Sequence, residues 1–256
     1  HMVEEDIIGR LSNQRGKIGF YYKNLHSGKA ITYNDKLQFK AASIIKLPIY
    51  VEIMRRYANG QLDLNERIQI TDEDILPSCG AINLFSKAPD LDIRTICNFM
   101  IALSDNTAAN ILIRRLGIEE YNAGFAKLGL KGTVLERLLF DETGASQGKE
   151  NKFVPWEMGE LLEKIYRKTL ITAEVDKEIE NTLLNQQVNY KIPGRMLEMI
   201  PVAHKTGDDD GISNDVGIVY AKEPFIIAFA SNDTDVPEFD NLIRDISYEL
   251  CFHTKI

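Results

Sequence analysis

Hydrophobic and polar positions divide the chain into an early, a middle and a late region. Val3 to Leu11 carries apolar residues at helical spacing. After Gly16 the β-rich run KIGFYYKNL turns at His26-Ser27-Gly28-Lys29 and returns as AITYN. The middle is dominated by helical periodicity. Helices are predicted from Ser43 to about Asn59, stopped by Gly60, and over Ile93–Leu103, Thr107–Leu116, Ile118–Leu128, Pro155–Lys168 and Ala173–Leu184. Strand patterns return in PVAHKTG, DVGIVYA and PFIIAFAS, and an amphipathic helix from Pro237 to about Phe252 follows. Two antiparallel strands behind one short helix are too little sheet to be stable alone. The early and late strands are therefore expected to share one antiparallel sheet, giving a two-lobe α/β architecture. Residues 1–40 and 190–256 would form the sheet lobe with flanking helices, and residues 41–189 an inserted all-helical lobe, with a cleft between them. There is no internal repeat and no low-complexity tract.

Composition narrows the function. With 256 residues, 44% of them hydrophobic, the chain can bury a sizeable core. Thirty basic against 38 acidic residues leave a net charge of -8, and no Lys/Arg-rich run is present to track phosphates, so nucleic acid is not an expected partner. Even the apolar stretches Thr95 to Leu103 and Pro224 to Ala230 fall well short of the ~20 residues that span a bilayer. Cys79, Cys97 and Cys251 lack metal-ligand spacing, and Cys97 and Cys251 sit among apolar residues as expected of core side chains. The opening His1-Met2 reads as a cloning remnant.

Candidate chemistry begins in FKAASIIKLPIY, residues 39–50, where Ser43 and Lys46 stand three apart at the start of an apolar helix. Residues at that spacing share a helix face. A hydroxyl at the positive N-terminal end is placed where negative charge is stabilised, and a desolvated lysine one turn on loses basicity and can take the serine's proton. Pro48, early in the run, supports a helix start near Ser43. A second such pair, Ser146 with Lys149, lies in a Gly-rich polar stretch without helical pattern and is expected to be coincidental. His204 and Lys205 are adjacent on a strand, so their side chains take opposite faces. If Lys205 faces the cleft His204 does not, which disfavours a Ser-His-Asp triad. The four scattered histidines give no support to a metal site.

Two further triplets follow in order: Ser104-Asp105-Asn106 between two predicted helices, and Lys205-Thr206-Gly207 on a late strand. Together with Ser43 and Lys46, and with the phrases FKAASIIKLP and ALSDNTAANILI, they resemble the SxxK, SDN and KTG motifs of class A β-lactamases and penicillin-binding DD-peptidases. The similarity of order covers nearly the whole chain. It implies a cofactor-free serine acyl-enzyme, exported from the cytoplasm, that takes a β-lactam or a peptidoglycan stem peptide. Ser43 would be the acylated nucleophile, Lys46 the proton acceptor or relay, and Ser104 the proton path to the leaving nitrogen. Asn106 would hold the substrate's side-chain amide. Lys205 and Thr206, with Gly207, would bind its carboxylate, and the backbone N–H groups of Ser43 and Asp208 would form the oxyanion hole.

The sequence also departs from the resemblance. Aligning Arg137 with the arginine of the family's omega-shaped loop puts Leu139 where the deacylating glutamate belongs, brings Thr143 near the expected asparagine, and sets Asn151 in place of the arginine's aspartate partner. Asp141 and Glu142 are nearby carboxylates that a shifted loop could aim inward. Three acidic residues, Asp208, Asp209 and Asp210, follow the KTG triplet, and no arginine is evident on DVGIVYA to assist carboxylate binding. The expectation is a penicillin-recognising enzyme with DD-peptidase-like slow β-lactam turnover. The alternatives are an active β-lactamase with a relocated loop carboxylate, or a β-lactam sensor that stays acylated.

Overall fold

A computed structural model describes residues 2–197 and 199–252. Helix α1 (Met2–Ser12) leads into strands β1 (Lys17–Asn24) and β2 (Ala30–Tyr33), and β3 (Phe39–Lys40) precedes a 3₁₀ turn, Ala42–Ile45, that runs into α2 (Lys46–Ala58). The middle contains β4 (Arg67–Gln69), β5 (Asp90–Asp92), α3 (Ile93–Ala102), α4 (Asn106–Leu116), α5 (Ile118–Lys127), α6 (Glu142–Ser146), β6 (Lys152–Phe153), α7 (Pro155–Arg167) and α8 (Ala173–Leu184). Strands β7 (Val202–Asp209), β8 (Ile212–Val219) and β9 (Phe225–Asn232) then lead to α9 (Val236–Phe252).

The five long strands form one sheet in the order β2-β1-β9-β8-β7, antiparallel throughout, so the sheet is built from both regions of the chain as expected. Central β9 is buried along nearly its whole length, which explains why FIIAFAS is continuously apolar rather than alternating. Its Phe229 stands opposite Phe20 of β1, with ring centroids 5.1 Å apart in an edge-to-face pair. On one face of the sheet, Ile7 and Leu11 of α1 and Phe239, Leu242, Ile243, Ile246 and Leu250 of α9 close a core at helical spacing. On the other face α7 packs against β1, β8 and β9, and α8 against β7.

The second core is continuous from the sheet into the helical region. Helix α2 runs through its middle, buried from Lys46 to Met54 on every side. This is why apolar residues fill most of 46–54, and why its one buried acid, Glu52, is paired with Arg55 and Arg56. The chain turns sharply where the caps dictate: the side chains of Asp92, Asp105 and Thr172 accept the N–H of Thr95, Ala108 and Val175 to start α3, α4 and α8. Pro155 opens α7 with a residue that has no N–H to leave unpaired. Two expectations change. Ser43 lies in the 3₁₀ turn before α2, because Ala42 has φ +46° and the chain cannot enter α-geometry there directly. Ser146, expected outside any helix, ends the single-turn α6, its hydroxyl donating to Thr143 O at 2.8 Å.

Candidate active site

The Ser43 turn, the loop before α4, the loop from 137 to 151 and the end of β7 surround one cleft of about 380 Å³. Ser43, Asn106, Leu139, Glu142 and Asp208 all line it. Several fixed contacts assemble these elements. Asn214 on β8 donates from Nδ2 to Lys40 O and Ala41 O, both at 3.2 Å, which ties the segment before Ser43 to the sheet. Gly207 makes the approach of β7 possible. A Cβ there would lie 2.8 Å from Ala41 O and 2.9 Å from Ile44 N, so any side chain would push Asp208 away from the Ser43 turn. The N–H of Ser43 opens a helical turn and has no carbonyl one turn earlier to bond.

Asp105, to which the sequence assigned no chemistry, is the fastener of the opposite wall. Its carboxylate accepts from Ala108 N at 2.9 Å, and from Ala81 N at 2.8 Å and Ile82 N at 3.0 Å. It thereby caps α4 and pins the 78–82 loop, whose Cys79 lines the cleft. Ser104 is held at φ +54°, a left-handed conformation that costs about 1–3 kcal/mol for a residue with a Cβ. Such strain persists where surrounding contacts over-determine the position, as the paired caps do here.

Lys46 is fully buried, and its Nζ donates to Ser104 O at 2.7 Å, Ser104 Oγ at 3.0 Å and Asn106 Oδ1 at 2.8 Å. Ser104 Oγ also accepts from Lys205 Nζ at 3.0 Å. The first two motifs and the third thus meet at one hydroxyl. Burial, reinforced by the neighbouring Lys205 charge, holds Lys46 well below the ordinary lysine value. Burial likewise pushes Lys205 down to about 7, against the opposing pull of Asp215 and Asp208. A hydroxyl has one proton and two lone pairs. Ser104 can therefore accept from a charged Lys205 while donating to a neutral Lys46, which makes it a proton conduit between them.

His204 is turned away from this cluster. Its Nδ1 is 2.9 Å from Asp215 Oδ1 and its Nε2 is 2.8 Å from Asn189 Oδ1, all on the far side of β7. The loop from 137 to 151 is tied at both ends. Asn151 Oδ1 accepts from Glu136 N and Arg137 N at 2.8 and 3.1 Å, its Nδ2 donates to Arg137 O, and Arg137 pairs instead with Glu150 at 3.2 Å. The charge partner expected at Asn151 is therefore supplied by the residue before it. Asn110 accepts from Leu139 N at 2.9 Å and donates to Leu139 O at 3.0 Å, fixing the backbone there. Of the two candidate loop carboxylates, Asp141 is spent on the N-cap of α6, accepting from Gly144 N at 3.0 Å, and does not line the cleft. Asp141, a candidate loop base, is thus placed at the start of α6 rather than in the cleft lining. Glu142 reaches the cleft rim but is exposed.

Other residues were not foreseen. Glu150 and Cys79 line the cleft, and Lys191 is buried beneath Gly207 and Asp208. Glu150 adjoins Asn151 in sequence, which is the one signal that could have pointed to it. Cys97 is buried as expected, while Cys251 is only half-buried.

A model of the beta-lactamase enzyme family matches residues 2–253. Beta-lactamase VEB-1 of Pseudomonas aeruginosa is 24% identical over 93% of this chain and 85% of its own length. A beta-lactamase of Bacteroides uniformis is 25% identical over 96% of this chain and 88% of its own. The structure of PBP-A superposes with a TM-score of 0.87 at 27% identity, covering 97% of this chain and 94% of that one. PBP-A has also been solved as a leucine-to-glutamate variant in an acyl-enzyme complex with penicillin G. The beta-lactamase from Sphaerobacter thermophilus DSM 20745 shares the fold, with a TM-score of 0.86 at 23% identity over 99% and 98% of the two chains. Because the family match runs over residues 2–253 and the relatives align along nearly the same span, the chain belongs to the beta-lactamase enzyme family and is a serine-hydrolase-type enzyme of its class A-like branch.

Proposed function

We propose that Ser43 is acylated by β-lactams and by D-Ala-D-Ala-type peptides, and that the β-lactam adduct breaks down slowly, as in a DD-peptidase. Ser43 Oγ attacks the carbonyl carbon while neutral Lys46 takes its proton. The developing oxyanion is stabilised by the N–H groups of Ser43 and Asp208. As the C–N bond breaks, Ser104 Oγ gives its proton to the nitrogen and takes one from Lys46, which returns to its neutral form, while charged Lys205 keeps its contact on the other side of that hydroxyl. Lys205 and Thr206 bind the substrate carboxylate and Asn106 the side-chain amide, while Gly207 gives β7 its close approach. The cleft so read lies between a sheet lobe, residues 1–40 and 190–256, and a helical lobe, residues 41–189.

The observation that carries slow turnover is Leu139. Its backbone is held by Asn110 and it lines the cleft with Ser43, which supports reading it in the position of the family's deacylating glutamate. The acyl-enzyme complex of a PBP-A variant with penicillin G supports acylation by a penicillin. Glu142, at the cleft rim, favours the alternative of an active β-lactamase. Our reading also puts the enzyme outside the cytoplasm, on the support of the family resemblance alone; among the described residues no helix is long and apolar enough to cross a membrane.

Intact mass spectrometry after penicillin addition, followed over time, is the test. The expected result is an adduct, mapped to the peptide containing Ser43, that persists for minutes or longer while a D-Ala-D-Ala peptide is cleaved. A lifetime below about a second, within ordinary enzymatic turnover, would move the assignment to β-lactamase. Persistence without peptide cleavage would indicate a sensor.

The acylation rate should also depend on pH. An anionic substrate needs Lys205 charged, and Lys205 loses its proton around pH 7 in the free enzyme. Loss of that anchoring charge is expected to make the second-order acylation constant fall as pH rises above about 7. Lys205→Arg, whose guanidinium stays charged, is expected to abolish that alkaline limb even if the plateau is lower. A limb unchanged in Lys205→Arg would assign it to another group.

A further inference from the structure

We propose that the Asp208 side chain is an internal counter-ion for Lys191 and a specificity-determining residue, biasing the enzyme against acyl donors that carry a carboxylate beside the bond being broken. The inference rests on the acyl-enzyme reading of Ser43. Lys191 comes from the segment between α8 and β7 and is fully buried. Its ammonium donates to Asn214 O at 3.1 Å and Gly207 O at 3.4 Å, and to Asp208 Oδ1. The other oxygen of that carboxylate accepts from Tyr190 OH at 3.0 Å. Both oxygens of Asp208 are thus held on the face of β7 that also carries Thr206, two residues earlier.

A buried ammonium directly behind a carboxylate-binding strand is the group an anionic substrate would use, and no arginine on β8 offers a substitute. Asp208 already neutralises it. Asp208 lines the cleft at β7, the edge strand of the sheet, and its side chain, on the Thr206 face opposite Lys205, is 44% exposed, so an incoming carboxylate bound along that edge meets a like charge on the same strand. Lys205 feels both members of the pair, with Asp208 favouring its charged form and Lys191 opposing it, which puts the pair within electrostatic reach of the anchor. The local sum of Lys191 and Asp208 is zero. Removing the carboxylate alone makes it positive, and removing both returns it to zero.

The experiment measures second-order acylation constants, by intact mass, for penicillin G and for its methyl ester, and takes their ratio. The ratio cancels general damage to folding or to the nucleophile. In Asp208→Asn it is expected to rise about tenfold in favour of the free acid, the scale of one added charge-assisted contact. In Asp208→Asn with Lys191→Met it is expected to fall back toward the wild-type value. A ratio unchanged in Asp208→Asn, or equally raised when Lys191 is also replaced, overturns the proposal. Asp208 lies on the rim, so the single variant decides even if the buried Lys191 replacement fails to fold. Absence of a Ser43 adduct with either probe in the wild-type enzyme would instead overturn the acyl-enzyme reading, and this inference with it.

Discussion

Lys46→Ala is expected to slow penicillin acylation of Ser43 by about 10²- to 10⁴-fold, the range of lost general-base catalysis. Neither His204, which faces Asp215 and Asn189 behind the strand, nor Lys205, which donates to the Ser104 hydroxyl and to Thr206 O, is expected to replace it. The substitution also removes three hydrogen bonds from a fully buried site and leaves Ser104 O and Asn106 Oδ1 without their donor. Unsatisfied buried acceptors cost about 1–3 kcal/mol each, so the melting temperature should fall together with the rate. The two effects separate in Lys46→Arg, where a guanidinium can donate to the same acceptors but cannot give up its proton at neutral pH. That variant should recover part of the stability and none of the rate. Time-resolved intact mass gives the rate, and calorimetry the stability. An acylation rate that is unchanged in Lys46→Ala would show that another group takes the proton.

Leu139→Glu is expected to shorten the lifetime of the penicilloyl adduct by about 10²- to 10⁴-fold, because it adds a base where water must attack. The two hydrogen bonds from Asn110 fix the backbone at this position independently of the side chain, so the new carboxylate should enter the cleft without rebuilding the loop. Half-burial of Leu139 makes a carboxylate less costly than in the deep core, though still destabilising by about 1–3 kcal/mol if it lacks a partner. Leu139→Gln is the control, with similar volume and polarity and no base; its adduct should live as long as that of the unmodified enzyme. If glutamate and glutamine leave the lifetime equally unchanged, slow release has a cause other than the missing carboxylate.

The strands and long helices were legible because each carries its own signal: a β-rich, aromatic run in β1, continuous apolarity in central β9, a helical stripe in α9. The short pairings were not. Phe39 and Lys40 of β3 meet Phe153 and Lys152 of β6, and Arg67–Gln69 meets Asp90–Asp92, in runs too brief to show any period. Within the site, Ser43, Lys46, Ser104, Asn106, Lys205 and Thr206 were legible as short local phrases. Asp105, Glu150 and Lys191 were not, since each acts on a partner that only the fold brings near. Asp105 looked like a helix cap and is one, but it also grips a loop more than twenty residues upstream. Asp141, a carboxylate close to the family's loop position, caps the short helix α6, which its polar surroundings did not announce.

The pairing of β1 with β9 has a consequence for how the enzyme comes into being. Strand β1 leaves the ribosome early, yet its partner is the last strand to be made, and Ser43 and Lys205 are likewise separated by most of the chain. The sheet must close a very long loop before either strand is rewarded for its ordering, which places folding among the slow, high-contact-order cases. During synthesis the apolar β1–β2 hairpin waits with one edge unpaired, a template for joining other chains. Activity and escape from aggregation should therefore arrive in a single late event, once β9 slots between β1 and β8.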